Sequence, residues 1–302
     1  MVDIGVLGNR ESWYVADIER ACRERRHHAR RIEFRSLSAA EAVDHRCTVE
    51  EAAEPKAPRE LTALDALIVR TMPPGSLEQV VFRMDVLARL EAQGVTVVNP
   101  PKAIECAVDK YLATSKLAAD GLPVPETIVC QDAEAALAAF ATLGGDVVVK
   151  PLFGAEGRGI VRVSDPDLAF RTFRTLERTQ AVLYLQRFVE HEGYDLRVLV
   201  LDGAVLGAFK RRSPHDFRTN MARSATGEPH ELTDREHELA VRAVRATGTI
   251  FGGVDLLYDC TGRCFVLEVN AVPGWQAFRK VTGVDVAARM VEWLERRLSA
   301  NR

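Results

Sequence analysis

FGGVDLLYDCTGRCFVLEVNAVPG, Phe251 to Gly274, decides how this chain is read. An apolar run carries Asp255, and a short turn from Asp259 to Arg263 reverses the chain. A second apolar run, Cys264 to Val269, then brings back Glu268, with Asn270 just beyond it. Apolar runs bounded by turn residues read as the two strands of a hairpin. Side chains alternate faces along a strand, so Glu268 and Asn270 are expected to share a face with Cys264 and Val266, with Asp255 opposite. Two carboxylates and an amide oxygen on one face form an all-oxygen site of the kind that suits Mg²⁺. Without a cation the paired acids would repel and lose hydration. A solvated hairpin with incidental acids is the plain alternative, but GGVDLL and FVLEV are too apolar for a freely wetted ribbon.

DVVVKPLFGAEGRGIVRV, Asp146 to Val163, is the second informative stretch. A strand delivers Lys150. Gly154, Gly157 and Gly159 then leave a turn free of side chains, where backbone N–H groups can approach phosphate oxygens. No GK[ST] opens a helix, so this is not a P-loop. A strand follows the glycines, so it is not a dinucleotide fingerprint either. Lys150 is a point charge suited to phosphate. QRFVE, Gln186 to Glu190, ends another apolar run, where backbone groups can meet an adenine edge and a Phe its face. Arg197, Arg211 and the segment Phe217-Arg218-Thr219-Asn220 concentrate cations and amides nearby, and guanidinium groups suit carboxylates and transferring phosphoryl groups.

The composition bounds the classes. The chain has 302 residues, 47% hydrophobic and 27% charged, enough core for two or three lobes and too little polarity for wholesale disorder. A net charge of -3 argues against general attraction to nucleic acid. The basic run Arg20 to Arg31 reads as the polar face and C-terminal end of a first helix, where cations suit the dipole. No apolar stretch reaches membrane-spanning length, and MVDIGVLGNRES lacks the pattern of a signal peptide. Six scattered cysteines suggest a reduced setting, so a cytoplasmic location is expected.

Three domains are expected. Residues 1–104 alternate strand and helix patterns: strands at Asp3 to Leu7, Ile32 to Phe34, Ala66 to Arg70 and Val95 to Val98, with helices through about Arg26 and from Leu77 to Gln93. Asn99-Pro100-Pro101 stops the last strand, and Glu50 to Arg59 reads as a polar loop. This predicts an α/β lobe on a parallel sheet. Residues 105–187 open with a helix, Ala107 to Ala119, and read as a small α+β lobe. Residues 188–302 carry strands at Asp195 to Leu201, Ala204 to Phe209, Ile250 to Leu257 and Cys264 to Val269, then a last helix from Asp285 to Leu298.

Taken together, Asp109-Lys110, KPLFGAEGRG, QRFVE, DLRVLV, FRTN, GGVDLL, LEVNAVPG and Thr282-Gly283-Val284-Asp285, in this order, resemble the ATP-grasp superfamily and its RimK-like α-L-glutamate ligase branch. The resemblance runs from about Asn99 to Asp285. It implies an ATP-grasp fold behind an N-terminal pre-grasp α/β domain. It also implies ATP as co-substrate, two Mg²⁺ (or Mn²⁺) ions, and amide formation through an acyl phosphate. By position, Lys110 and Lys150 resemble the nucleotide-phosphate lysines. Gly154, Gly157 and Gly159 form the phosphate loop. Arg187 and Phe188 lie on the adenine side, and Asp195 on the ribose or nucleotide side. Arg218, Thr219 and Asn220 resemble the phosphoryl-transfer segment, with Arg218 and Asn220 also catalytic. Arg211 resembles the arginine that steadies the acyl phosphate, and Asp255, Glu268 and Asn270 the metal ligands.

L-glutamate or another amino acid is the implied amine. The implied acceptor is a small-molecule carboxylate, with Arg70 and Arg197 as candidate substrate contacts. No nucleic acid or membrane partner is implied, and a homo-oligomer is left open. Ala155-Glu156 stands where relatives often have Ser-Gln, and MARSATGEPHEL lacks the double Gly of the ribosomal-protein-modifying members. RTMPPGSLEQ, Arg70 to Gln79, is similar to a segment of relatives in tetrahydromethanopterin-linked metabolism. The expected activity is therefore glutamate addition to a small-molecule or cofactor carboxylate. Another ATP-grasp amino-acid or carrier ligase, a ligase acting on a protein C-terminal tail, and a nucleotide-binding regulator without turnover are the alternatives.

Overall fold

Short apolar runs in the N-terminal third pair side by side in parallel, as their alternation with helices requires. β1 (Asp3–Leu7), α1 (Trp13–Glu24), β2 (His28–Ile32), β3 (Leu37–Val43), β4 (Arg46–Glu51), β5 (Arg59–Glu60), β6 (Ala66–Val69), α2 (Leu77–Ala92) and β7 (Thr96–Val98) follow in chain order. The parallel sheet has the order β2-β1-β6-β7. β6 is buried along its whole length, as strands covered on both faces are. β3, β4 and β5 form a separate antiparallel sheet. In this computed structural model the described residues are 1–43, 46–51, 59–154, 158–213, 216–217 and 226–300.

α3 (Pro101–Val108) and α4 (Lys110–Ala119) lead into β8 (Thr127–Cys130), α5 (Ala133–Thr142), β9 (Val147–Lys150), β10 (Val161–Val163), α6 (Pro166–Arg178) and β11 (Leu183–Arg187). Their strands make an antiparallel sheet of order β10-β9-β11-β8. It packs on α5 and α6 through Phe140, Phe173, Leu183 and Leu185. β12 (Tyr194–Leu201), β13 (Ala204–Arg212), β14 (Thr226–His230), α7 (Asp234–Thr247), β15 (Phe251–Tyr258) and β16 (Cys264–Asn270) follow. They give a five-stranded sheet of order β14-β13-β12-β15-β16, whose inner face packs on α4 and α7 through Leu117, Leu239, Val244, Leu256 and Val266. α8 (Gln276–Thr282) and α9 (Val286–Ala300) close the chain.

By internal contacts the chain divides into two units. One comprises residues 1–104, 248–251 and the segment from Ala271 onward, and the other residues 105–247 and 252–270. Within the first unit, buried Asp17 of α1 accepts from the Trp275 indole at 2.9 Å, from Arg279 at 2.8 Å and from Arg20 at 3.0 Å. Gly283 ends α8 at φ 74°, a conformation that costs glycine little. Asp285 then accepts the Ala288 N–H at 3.0 Å and pairs with Arg20 at 2.8 Å. The Thr282-Gly283-Val284-Asp285 motif is thus a helix stop and a helix start joined by an ion pair. Ser76 and Gln79 form a reciprocal capping box at the start of α2, which explains part of the RTMPPGSLEQ segment.

Several expectations are corrected. The second strand begins at His28 rather than Ile32, because HARRI is an edge strand with basic side chains and shows no apolar period. The segment read as a polar loop is bordered by β4 and β5. The helix expected over 107–119 is two helices. Asp109 adopts extended backbone and its carboxylate accepts the Leu112 N–H at 3.0 Å, which caps α4. Cys264 sits opposite Tyr258, and Cys22, Cys106, Cys130, Cys260 and Cys264 are free thiols, as the reduced setting expected from the sequence requires.

Candidate active site

β15 and β16 set Asp255 directly opposite Glu268, and Gly253 opposite Asn270. The ladder is irregular between Asp255 and Leu256. Leu256 pairs with Val266, so Leu267 is an extra residue on β16. Such a bulge reverses the alternation of everything beyond it. Val266 and Val269 both enter the hydrophobic core with Val254 and Leu256, and Cys264 packs against it. Leu267 and Glu268 line a cavity on the other face with Asp255 and Leu257. The expectation that Glu268 shares a face with Cys264 and Val266 is therefore corrected: the bulge turns Glu268 away from them and toward Asp255.

The two acids lie in different electrostatic settings. Asp255 is 2% exposed. Burial would raise its pKa, but Arg197 and Arg211 hold it below the usual carboxylate value. Arg197 grips both Asp255 oxygens, one of them at 2.8 Å, and Arg211 adds a contact at 2.9 Å. Arg211 also forks onto Asp195, with one N–O distance of 2.7 Å. Arg197 and Arg211, expected at substrate and acyl phosphate, are here paired with site acids. Glu268 is pushed upward by burial and then by the Asp255 charge, against the pull of Arg197 and Lys150. A carboxylate offers about four lone-pair sites, and guanidinium contacts take three of Asp255's. Glu268 is the less encumbered oxygen donor, and a divalent cation can take the place of a proton on a buried acid of raised proton affinity. The donor set of Asp255, Glu268 and Asn270 therefore fits Mg²⁺.

β9 brings Lys150 to the same place. Its ammonium donates to the Gln186 amide oxygen at 2.7 Å. Gln186 is 3% exposed and donates in turn to Thr127 at 3.0 Å and to the Tyr184 hydroxyl at 3.2 Å. Sequence reasoning passed over Gln186; its only signal was an amide inside an apolar strand. Burial pushes the Lys150 pKa down to about 8, opposed by Glu268 and assisted by Lys110. Lys110, at the start of α4, donates to the Gly154 carbonyl at 2.9 Å, and burial lowers its pKa while Glu268 raises it. The antiparallel pairing of β9 with β10 confirms that a strand follows the glycines. Gly154 and Gly159 have φ of 149° and 74°, so side chains there would be strained. Gly157, Arg218, Thr219 and Asn220 lie outside the described residues.

The cavity, about 90 Å³, is lined by the charged groups Lys150, Asp195, Asp255 and Glu268 and by the apolar side chains of Val148, Ile160, Phe188, Phe217 and Leu257. Arg187 lines it too, but its guanidinium turns to the Leu143 carbonyl at 3.1 Å and to Glu126 at 2.7 Å. The Arg187 and Phe188 N–H groups are bonded to the carbonyls of Glu126 and Asp146. One ring face of Phe188 carries the Arg162 guanidinium at 3.5 Å from its centroid. In the first unit, Arg70 is 2% exposed. Its guanidinium lies against both rings of Tyr14 and Trp275, 4.9 and 4.3 Å from their centroids, and donates to the Pro273 carbonyl at 2.8 Å. Among the described residues its Nε has no hydrogen-bond partner, and burial lowers its pKa to about 9.

Residues 107–294 match the RimK-like ATP-grasp domain. The chain is 36% identical over 263 residues to tetrahydromethanopterin:alpha-L-glutamate ligase of Methanosarcina acetivorans, covering 78% of this chain and 81% of that one. It is 32% identical over 239 residues to the protein of the same name from Methanococcus maripaludis, covering 78% and 80%. The structure superposes on a RimK domain ATP-grasp protein of Sphaerobacter thermophilus with a TM-score of 0.72, at 23% identity and coverage of 96% and 98%.

The lowered pKa of Lys150 gives a testable sign. Its ammonium is charged below about pH 8, so affinity for ATP in the free protein should be full there and fall as pH rises through that value, by up to about tenfold per unit. Lys150→Arg keeps its charge throughout and should flatten the profile, read by calorimetry between pH 7 and 9 at saturating magnesium. Parallel profiles for the two proteins would remove Lys150 from the nucleotide.

Proposed function

We infer the reaction from one fact, that the chain belongs to the RimK-like ATP-grasp family, and from the charges its β15–β16 hairpin carries. The protein is an ATP-dependent carboxylate–amine ligase. The observation that carries this is a single cavity lined both by Lys150 and the paired acids Asp255 and Glu268 and by the rings of Phe188 and Phe217. Charged groups of that kind suit a triphosphate, and rings suit a purine. Arg197 and Arg211 are paired with Asp255 and Asp195, while Lys110 and Lys150 bond to a backbone carbonyl and an amide oxygen, so the two lysines are the cations suited to a polyanion.

The acceptor carboxylate attacks the γ-phosphorus, giving an acyl phosphate and ADP. The amine of L-glutamate then attacks the acyl carbon, an amide forms and phosphate leaves. Lys150 and Lys110 hold phosphate oxygens, and the glycine segment beside Lys110 covers them and keeps water from the acyl phosphate. Arg211 steadies the transferring group, with Arg218, Thr219 and Asn220 assigned to the same step from the family pattern. When bound, Mg²⁺, as two ions, supplies positive charge to the β- and γ-phosphates, and Asp255, Glu268 and Asn270 would hold it. Asp195 is committed to Arg211, so the amine proton passes to a phosphate oxygen.

The relatives named for tetrahydromethanopterin support a pterin-type cofactor carboxylate as acceptor. Arg70, a buried cation with only rings and a carbonyl around it among the described contacts, is assigned to an anionic group of that acceptor. Free cysteines fit a cytoplasmic location.

Incubating the protein, ATP and labelled L-glutamate with a small-molecule extract should move label into one acceptor family, with ADP released in step. Glu268→Ala should lower ADP formation by at least about 10²-fold, the loss expected when a group aimed at developing phosphate charge is removed. Arg70→Ala should raise the acceptor KM about tenfold and leave ATP affinity unchanged, as loss of one charge-assisted contact does. Near-normal turnover in Glu268→Ala would sink the metal assignment, and an unchanged KM would return Arg70 to a structural stack.

A further inference from the structure

Asn99 follows β7 and reads in the sequence as part of a strand stop. In the structure it is 1% exposed and its side chain is fully used. The amide nitrogen donates to the Phe251 carbonyl at 2.7 Å and to the Ala271 carbonyl at 2.5 Å. The amide oxygen accepts the N–H groups of Ile250 and Phe251, both at 2.7 Å. A primary amide has two donors and two acceptor lone pairs, so nothing is left over. Every partner is backbone. Ile250 and Phe251 lead into β15, and Ala271 leaves β16.

The position of these bonds matters because of the bulge. From the turn end, Tyr258 opposite Cys264 fixes the register as far as Leu256 opposite Val266. Beyond Leu267 the ladder resumes one step out of phase, with Asp255 opposite Glu268 and Val254 opposite Val269, and the extra residue leaves that phase to be held from the other end. The last pair on the far side is Gly253 with Asn270. Asn99 supplies the next rung, an amide inserted between Phe251 and Ala271 where the strands have ceased to pair directly. If the extra residue were absorbed by a one-residue slip, Leu267 would come to face Asp255 and Glu268 would turn toward the Val254 and Val269 core. We propose that Asn99 is a positioning residue that pins the open end of the β15–β16 hairpin, and so keeps Glu268 and Asn270 on the Asp255 side of the sheet.

This role rests on the hairpin being the magnesium and nucleotide site, and its test separates the two. Asn99→Ala removes all four bonds. Asn99→Asp keeps the acceptors for Ile250 and Phe251 but sets a charged oxygen against two carbonyls, and it serves where Asn99→Ala does not fold. Leu87→Ala, a fully buried change in α2 of the same unit, controls for lost stability alone. Hydrogen exchange followed by mass spectrometry is compared over residues 250–255 and 266–271 for all the proteins without ligand. Exchange there should accelerate at least about tenfold in the Asn99 variants beyond any change in Leu87→Ala. The Mg²⁺ concentration giving half of the thermal stabilisation by ATP should rise about tenfold in the Asn99 variants only. Exchange in the hairpin no faster than in Leu87→Ala would overturn the proposal, whether or not the protein binds ATP. Absence of any stabilisation of the unaltered protein by ATP and Mg²⁺ would instead overturn the nucleotide reading while leaving the register result to stand.

Discussion

Two carboxylates, Asp255 and Glu268, face each other across one rung of a mostly buried sheet, and the charges around them answer that repulsion. Arg197 and Arg211 neutralise Asp255 so completely that its proton affinity falls despite burial. Among the described residues Glu268 receives no such fork, and its proton affinity rises. The asymmetry divides the work. One acid anchors a chain of ion pairs through Arg211 to Asp195, and the other stays available. Breaking a buried ion pair leaves an uncompensated charge, a loss of about 3–5 kcal/mol. The arginines are therefore part of the site's architecture before they meet any substrate.

The same logic extends to Lys150. A lysine deprived of water loses its proton readily unless something replaces the solvent, and Gln186 does so at one donor. The Gln186, Thr127, Tyr184 and Thr114 chain of polar contacts aims the ammonium, the group proposed to meet phosphate. Preorganisation of this kind places a cation where charge develops without reorganisation at the moment of reaction.

The hairpin was legible in the sequence because acids inside apolar runs are rare and expensive, and so was Lys150 on a strand followed by glycines. The parallel sheet of the first unit and the helices α1, α2 and α9 were legible in the alternation of strand and helix patterns. The bulge was not. LEV reads as plain alternation, and only the loss of one register step shows that Leu267 and Glu268 lie on the same side. The pairing of Arg197 and Arg211 with acids was hidden because an arginine on a strand looks the same whether its partner is protein or ligand. Asn99 was read as punctuation, since four backbone bonds to residues about 150 to 170 positions away leave no local trace. β2, β14 and α8 escaped for a simpler reason: HARRI, TGEPH and QAFRKVT carry too few apolar residues for a period to show.

The central claim is chemical, that the acceptor is activated as an acyl phosphate. Oxygen-18 in the acceptor carboxylate tests it most directly, with the acceptor being the compound that takes up labelled glutamate. The account predicts one labelled oxygen in each inorganic phosphate released, seen as an isotope shift in the phosphorus-31 spectrum, with ADP unlabelled. Unlabelled phosphate, or the label appearing in AMP, would contradict it.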